Sequence, residues 1–237
     1  AGTKRLDGKI EIKAHVQQNA TPFMRKGIIN NADLAATCIQ GIKAKLEEEL
    51  QKKITQVYVS YSGQGIHTVH NEVRRSFDEE EHKILKEDID NLNDENTNIT
   101  YEGQSILDVI PQEYAVGTQK LLDAVGVMGN NIEGRYLNII AKSKLRNFIE
   151  NCFQNVNGIG VVEYKLTPLV VADQLLNEAQ KNSGCLLVDI GADTTTVSIY
   201  KSKLLRFLSV IPLGSENITK DIMTLQMEHD EAEELKV

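Results

Sequence analysis

Residues 186 to 196, Leu-Leu-Val-Asp-Ile-Gly-Ala-Asp-Thr-Thr-Thr, put a carboxylate, two small residues and a row of hydroxyls at the end of an apolar run. The apolar part reads as a strand that carries Asp189 to its end. Gly191 and Ala192 are small enough for an anion to approach their backbone N–H groups, and Thr194 and Thr195 add hydroxyl donors, a combination that suits phosphate oxygens. Asp189 would hold Mg2+ through water, since magnesium keeps part of its hydration shell. Asp193 sets a second carboxylate in the turn, where it repels phosphate unless it points outward or helps hold the cation. The spacing alone fits an ordinary hairpin with a short turn equally well.

Near the other end of this region, Ala232-Glu233-Glu234-Leu235-Lys236 places Glu233 and Lys236 three residues apart on one helical face. From there they can reach ribose hydroxyls and a base, although such a pair by itself is more often a solvated ion pair. Other polar residues invite less. His67 and His70, three apart in a strand, point to opposite faces and make a poor metal pair. The acidic run from Asp78 to 81 reads as a helix start, where the dipole favours anions. Arg74 and Arg75 read as solvated charge on an edge strand.

The elements that must carry these residues follow from periodicity. Ile10, Ile12, Ala14 and Val16 alternate with polar neighbours, as in a strand with one buried face and a hairpin partner at or before Ala1. Asn31 can cap a helix in which Leu34, Ala35, Cys38, Ile39, Ile42 and Leu46 recur at spacings of three and four. Val57, Val59 and Tyr61 mark a strand ending at Gly63. From residue 66 to 141 the character changes to an acidic helix around Ile84 to Leu92 and two long strands near Ile106 to Val116 and Tyr136 to Ile140, a small inserted α+β unit. A second amphipathic helix carries Leu145, Phe148, Ile149, Cys152 and Phe153. Val161 to Leu166 forms a strand, and Thr167 with Pro168 opens a helix. Strands at 185–190, 195–200 and 203–211 then form a meander, followed by helices from Ser215 and from about His229.

Composition narrows the function classes. A chain of 237 residues buries roughly three quarters of its unfolded surface and needs no staple. Its three cysteines, Cys38, Cys152 and Cys185, lie too far apart in sequence for a zinc knuckle and do not make an even disulfide set, which reads as cytosolic. A net charge of −8 without a basic stripe disfavours nucleic acid. No apolar run approaches the roughly 20 residues of a membrane helix.

The order of the pieces, a D-I-G-x-x-T-T hairpin, a strand ending Ile211-Pro212-Leu213-Gly214, a helix with Ile218-Thr219-x-Asp221-Ile222 and then A-E-x-L-K, resembles the actin-like ATPase superfamily. Within it the chain resembles the FtsA family of bacterial division proteins. Arg25-Lys26-Gly27, Val109-Ile110-Pro111-Gln112-Glu113-Tyr114, Val125-Gly126-Val127-Met128-Gly129 and Glu133-Gly134-Arg135 carry that narrower likeness.

The resemblance implies an actin-like, ribonuclease H-like α/β fold with an inserted small α+β subdomain. Residues 1–65 and 142–184 would form the first lobe, 66–141 an interaction subdomain and 185–237 the start of the second lobe. It implies that Gly191, Ala192, Asp193, Thr194 and Thr195 line a phosphate loop, that Asp189 serves Mg2+, that Glu233 and Lys236 meet the adenosine of ATP, and that Gly214 allows close approach beside the nucleotide. It also implies FtsZ and other division proteins as partners, self-association into filaments, and attachment to the cytoplasmic face of the inner membrane through a tail not present here.

Several departures temper this. A first phosphate hairpin is expected before Ala1, and each charge-assisted bond lost with it is worth roughly 1.5–3 kcal/mol, enough to weaken ATP binding a thousandfold. Asp193 stands where the family has glycine. Thr167-Pro168 stands where chaperone relatives carry Glu-Pro, and a hydroxyl is a poor base at neutral pH, so hydrolysis is expected to be weak or absent. An actin-like chaperone or pilus-assembly ATPase, and a nucleotide-free adaptor, remain as alternatives.

Overall fold

The computed structural model describes residues 1–78 and 81–236. The acidic run at 78–81 and the last residue of the expected second lobe therefore lie in part outside the described residues. In chain order the first elements are β1 (Gly2–Lys4), β2 (Ile10–Ile12), β3 (Met24–Arg25), β4 (Ile28–Ile29), α1 (Ala32–Leu50), β5 (Gln56–Tyr61), β6 (His67–Ser76), β7 (His82–Lys83) and α2 (Lys86–Thr97). Next come β8 (Gln104–Val116), β9 (Gln119–Leu121), β10 (Met128–Gly129), β11 (Asn131–Lys142), α3 (Lys144–Gln154), β12 (Gly160–Leu166), α4 (Thr167–Leu175) and α5 (Glu178–Ser183). The last are β13 (Cys185–Ile190), β14 (Thr195–Lys201), β15 (Leu204–Ile211), α6 (Ser215–Met223) and α7 (His229–Leu235). The chain divides into two compact units, Ala1–Gly63 with Lys144–Val171, and Gln64–Ser143 with Ala172–Val237.

In the first unit, Asn31 caps α1 as its side chain predicts, its Oδ1 accepting from the Leu34 amide at 3.0 Å. Helix α1 packs on α3, which buries Leu145, Ile149 and Cys152. Strands β5 and β12 pair in parallel, from Gly160 opposite Gln56 to Leu166 opposite Tyr61. At their ends the hydroxyls of Ser60 and Thr167 stand 2.8 Å apart. The N-terminal hairpin corrects the sequence reading: β2 pairs with Gly2–Lys4, within the chain, not with a segment at or before Ala1. Ile10 and Ile12 are 74% and 76% exposed, whereas Ala14 is buried. A two-stranded ribbon without a covering layer has no buried face for the alternation to mark.

The second unit is organised on one seven-stranded sheet in the order β13-β14-β15-β6-β11-β8-β9. The three-strand meander is as expected, with β14 antiparallel to both neighbours. Helix α2 lies over β6 and β11. The core there gathers Ile84, Leu92, Tyr114, Val116, Ala124, Ile132 and Tyr136, with Val73, Phe77 and Ile89 at its margin. Gly134 belongs to this packing: a Cβ on it would lie 2.6 Å from the Tyr136 hydroxyl, so the missing side chain makes room for the ring two residues on.

Three features were not legible locally. Strand β15 meets β6 through Ser209 opposite His67, with Gly65 N–H to Val210 O at 3.1 Å and Val210 N–H to Ile66 O at 2.8 Å. Helix α5 is too short for a periodicity, although Asn177 and Gln180 cap it reciprocally, each side chain accepting from the other's amide at 2.9 Å. Arg74 does lie where β6 pairs with β11 alone, since β15 meets β6 only at His67, but its charge is partnered: Arg74 Nε pairs with Glu133 Oε2 at 2.7 Å. Arg135 continues that row from Glu133 to Glu113, at 2.7 and 2.6 Å, and Lys120 closes it on Glu113 at 3.3 Å.

Candidate functional site

Strands β13 and β14 end on the Ile190–Thr195 pair, and residues 191–194 form the bend. The Gly191 amide closes it by donating to Thr194 O at 2.9 Å. The carbonyls of Gly191 and Ala192 then accept from the amides of Ser215 and Glu216, each at 2.9 Å. These are first-turn amides of α6, which lack acceptors within their own helix. The bend therefore caps α6 and is held to it.

Gly214 makes that docking possible. A Cβ there would sit 2.3 Å from Ala192 O and 2.5 Å from Gly191 O, backbone atoms that cannot swing away. The close approach that Gly214 permits is that of the bend itself. Thr195 Oγ1 donates to Leu213 O at 2.7 Å and adds a second tie.

The donors thus divide. The Gly191 amide and the Thr195 hydroxyl proton are spent inside the protein. The amides of Ala192 and Thr194 have no protein acceptor among the described residues, and Gly191 and Ala192 are exposed. Asp193 and Thr194 are half-buried, and Asp189 is exposed on β13 opposite Thr196.

Glu233 and Lys236 meet directly, with Nζ 2.6 Å from Oε1. Between them lies Thr219 of α6, fully buried, whose hydroxyl donates to Glu233 and accepts from Lys236 Nζ at 2.8 Å. The Lys236 ammonium and the Thr219 hydroxyl hold the Glu233 carboxyl below its usual range. Helix α6 is the strut between the two halves: its first amides grip the bend, and Thr219, about 6 Å further along the axis, grips α7. Sequence reading missed Thr219 as a site residue, although the I-T-x-D-I motif contains it. It also missed Glu216 and His229, which face each other across α6 and α7 at 3.4 Å. Asp189 and Thr194 form no hydrogen bond or ion pair with Glu233 or Lys236.

Comparison with known proteins shows which family the chain falls in. A family model described as "Cell division protein FtsA" matches residues 186–237, and one described as "SHS2 domain inserted in FTSA" matches residues 63–140. The chain belongs to the FtsA family. Among curated FtsA proteins, that of Porphyromonas gingivalis is 32% identical over 236 residues, covering 99% of this chain and 49% of the relative. That of Neisseria meningitidis serogroup B is 28% identical over 239 residues, covering 100% of this chain and 57% of the relative. The chain thus spans about half the length of these FtsA relatives. A solved structure titled "PilM-PilN type IV pilus biogenesis complex" matches with a TM-score of 0.56 and 15% identity, over 92% of this chain and 60% of that one. At that identity the likeness is one of fold, the actin-like ATPase fold. The first FtsA match spans the bend, Gly214, α6 and α7 together. No helix among the described residues is long and apolar enough to cross a membrane.

Proposed function

We propose that this chain is the nucleotide-holding and partner-docking part of an actin-like scaffold of bacterial cell division. In this reading Mg·ATP sits with its phosphates on the bend. The amides of Ala192 and Thr194 and the Thr194 hydroxyl donate to them, Asp189 orders the water around Mg2+, and Glu233 with Lys236 receives the adenosine. Asp193, half-buried beside the phosphates, tunes the metal. Gly191, Thr195 and Gly214 position: they fix the bend on α6 so that the free amides keep one direction. The supporting observation is that docking, which holds two unpartnered amides, of exposed Ala192 and half-buried Thr194, at the start of a helix that also anchors Glu233 and Lys236.

Residues 66–141 serve as the docking unit for division partners. Self-association and the coupling of FtsZ to the inner membrane belong to the whole protein. Thr167, which shares a hydroxyl contact with Ser60, offers no carboxylate to activate water, so nucleotide acts as a binding signal with weak or absent turnover.

One observation favours the nucleotide-free adaptor as a second reading: the Gly191 amide and Thr195 hydroxyl are already bonded internally. Saturation-transfer NMR of Mg·ATP with the chain separates the two, because it reads millimolar binding. The nucleotide reading predicts transfer to the adenine and ribose protons that is lost in Lys236→Ala. The absence of transfer in the unaltered chain supports the adaptor.

A further inference from the structure

Glu216 on α6 and His229 and Glu233 on α7 bring one ligand atom each within 4.8 Å of one another. His229 and Glu233 are four residues apart on one helix, so both side chains leave the same face and converge. Glu216 reaches them from the first turn of α6, the helix whose position the bend fixes.

The spacing within the group is informative. His229 Nε2 stands 3.4 Å from Glu216 Oε2, long for a hydrogen bond between such groups. Two ligands bound tetrahedrally at about 2.0–2.1 Å from one ion stand about 3.3–3.4 Å apart, so this pair already has the separation of adjacent ligands.

The outer contacts point the same way. The other imidazole nitrogen, Nδ1, faces the Asp230 carboxylate at 3.4 Å, the kind of partner that orients a metal-bound histidine. Glu233 is held from behind through Oε1 by Thr219 and Lys236, while its Oε2 has no protein partner among the described residues. Drawing the Glu233 carboxylate from within 4.8 Å of the other two ligand atoms to about 3.4 Å, with water as fourth ligand, completes a tetrahedral set.

We propose that Glu216, His229 and Glu233 bind a divalent transition ion of the zinc class, which joins α6 to α7. One imidazole with two carboxylates suits zinc, whereas Mg2+ prefers an all-oxygen shell with several waters. The inference rests on the geometry of these helices and not on the nucleotide reading, with which it competes for Glu233, and it is tested without nucleotide.

The chain, freed of metal by a chelator, is titrated with zinc chloride by calorimetry beside His229→Ala and Glu216→Gln. One equivalent of zinc per chain is expected, with affinity at least tenfold weaker in His229→Ala and several-fold weaker in Glu216→Gln, and no competition from millimolar Mg2+. Failure of zinc to saturate would overturn the proposal. So would unchanged affinity in both variants, which would place zinc on other histidines or leave it adventitious. Should a variant fail to fold by circular dichroism, cobalt absorption in the unaltered chain decides. Intense visible bands of a four-coordinate site support the proposal, and the weak bands of six-coordinate cobalt contradict it.

Discussion

In residues 66–141, polar side chains bond to one another in the interior. Asn71 donates to Asn96 Oδ1 at 2.8 Å, Asn96 to Asn138 Oδ1 at 2.8 Å, and Asn138 to the Tyr101 hydroxyl at 3.1 Å, with Asn96 and Asn138 fully buried. In residues 185–236 the polar backbone of the bend stays outside, and even apolar side chains on that part of the sheet are open: Leu186, Val188 and Ile190 are 61%, 45% and 66% exposed. Both regions share a sheet, so the difference lies in what covers it. A closed polar network rigidifies and specifies a core. Unpartnered amides held on a helix leave hydrogen bonds for another molecule.

Substitutions should separate the regions. Asn138→Leu removes the centre of the buried network and strands Asn96, so urea denaturation should show a loss of about 2–3 kcal/mol. A cost under 0.5 kcal/mol would mean that the network is not what holds this core. Gly214→Ala forces a methyl into the carbonyls of the bend and should cost about 1–3 kcal/mol. Hydrogen exchange should localise the damage to 191–195 and α6 while residues 66–141 keep their protection.

Asp88 allows a milder probe. Burial pushes its carboxyl up, but hydrogen bonds from His82, at 2.9 Å, and from the Leu85 amide, at 2.8 Å, pull it down further, to below 3.8. A folded pKa beneath the unfolded one adds stability above 3.8 that is lost as pH falls through the folded value. Asp88→Asn should therefore cost about 1 kcal/mol near pH 6, with the gap from the unaltered chain closing below pH 3.8. A gap that widens in acid would reverse the assignment. Least of all, Ile190→Ser should change stability by no more than about 0.5 kcal/mol, because its side chain is already in water.

Legibility follows the same division. Asn31, the amphipathic face of α3 and the D-I-G-A-D-T-T bend were readable because caps, helical periods and tight turns are written in neighbouring residues. The pairing of Ser209 with His67 was not, since nothing local links residues so far apart in the chain. The role of Gly214 was half legible: its smallness was read as room for a ligand, yet the atoms that need the room are the carbonyls of Gly191 and Ala192. Thr219 lay within a recognised motif, and only the packing of α7 on α6 shows what it holds. The exposure of Ile10 and Ile12 shows the limit of alternation, which marks a strand but not whether anything covers it.

The central claim is that the amides of Ala192 and Thr194 are a waiting anion site, and backbone amide NMR of the chain during a Mg·ATP titration reads those two groups themselves. The account predicts that their resonances shift downfield and saturate together, ahead of any change in residues 66–141. Resonances at Ala192 and Thr194 that stay in place while ATP reaches several millimolar would contradict it.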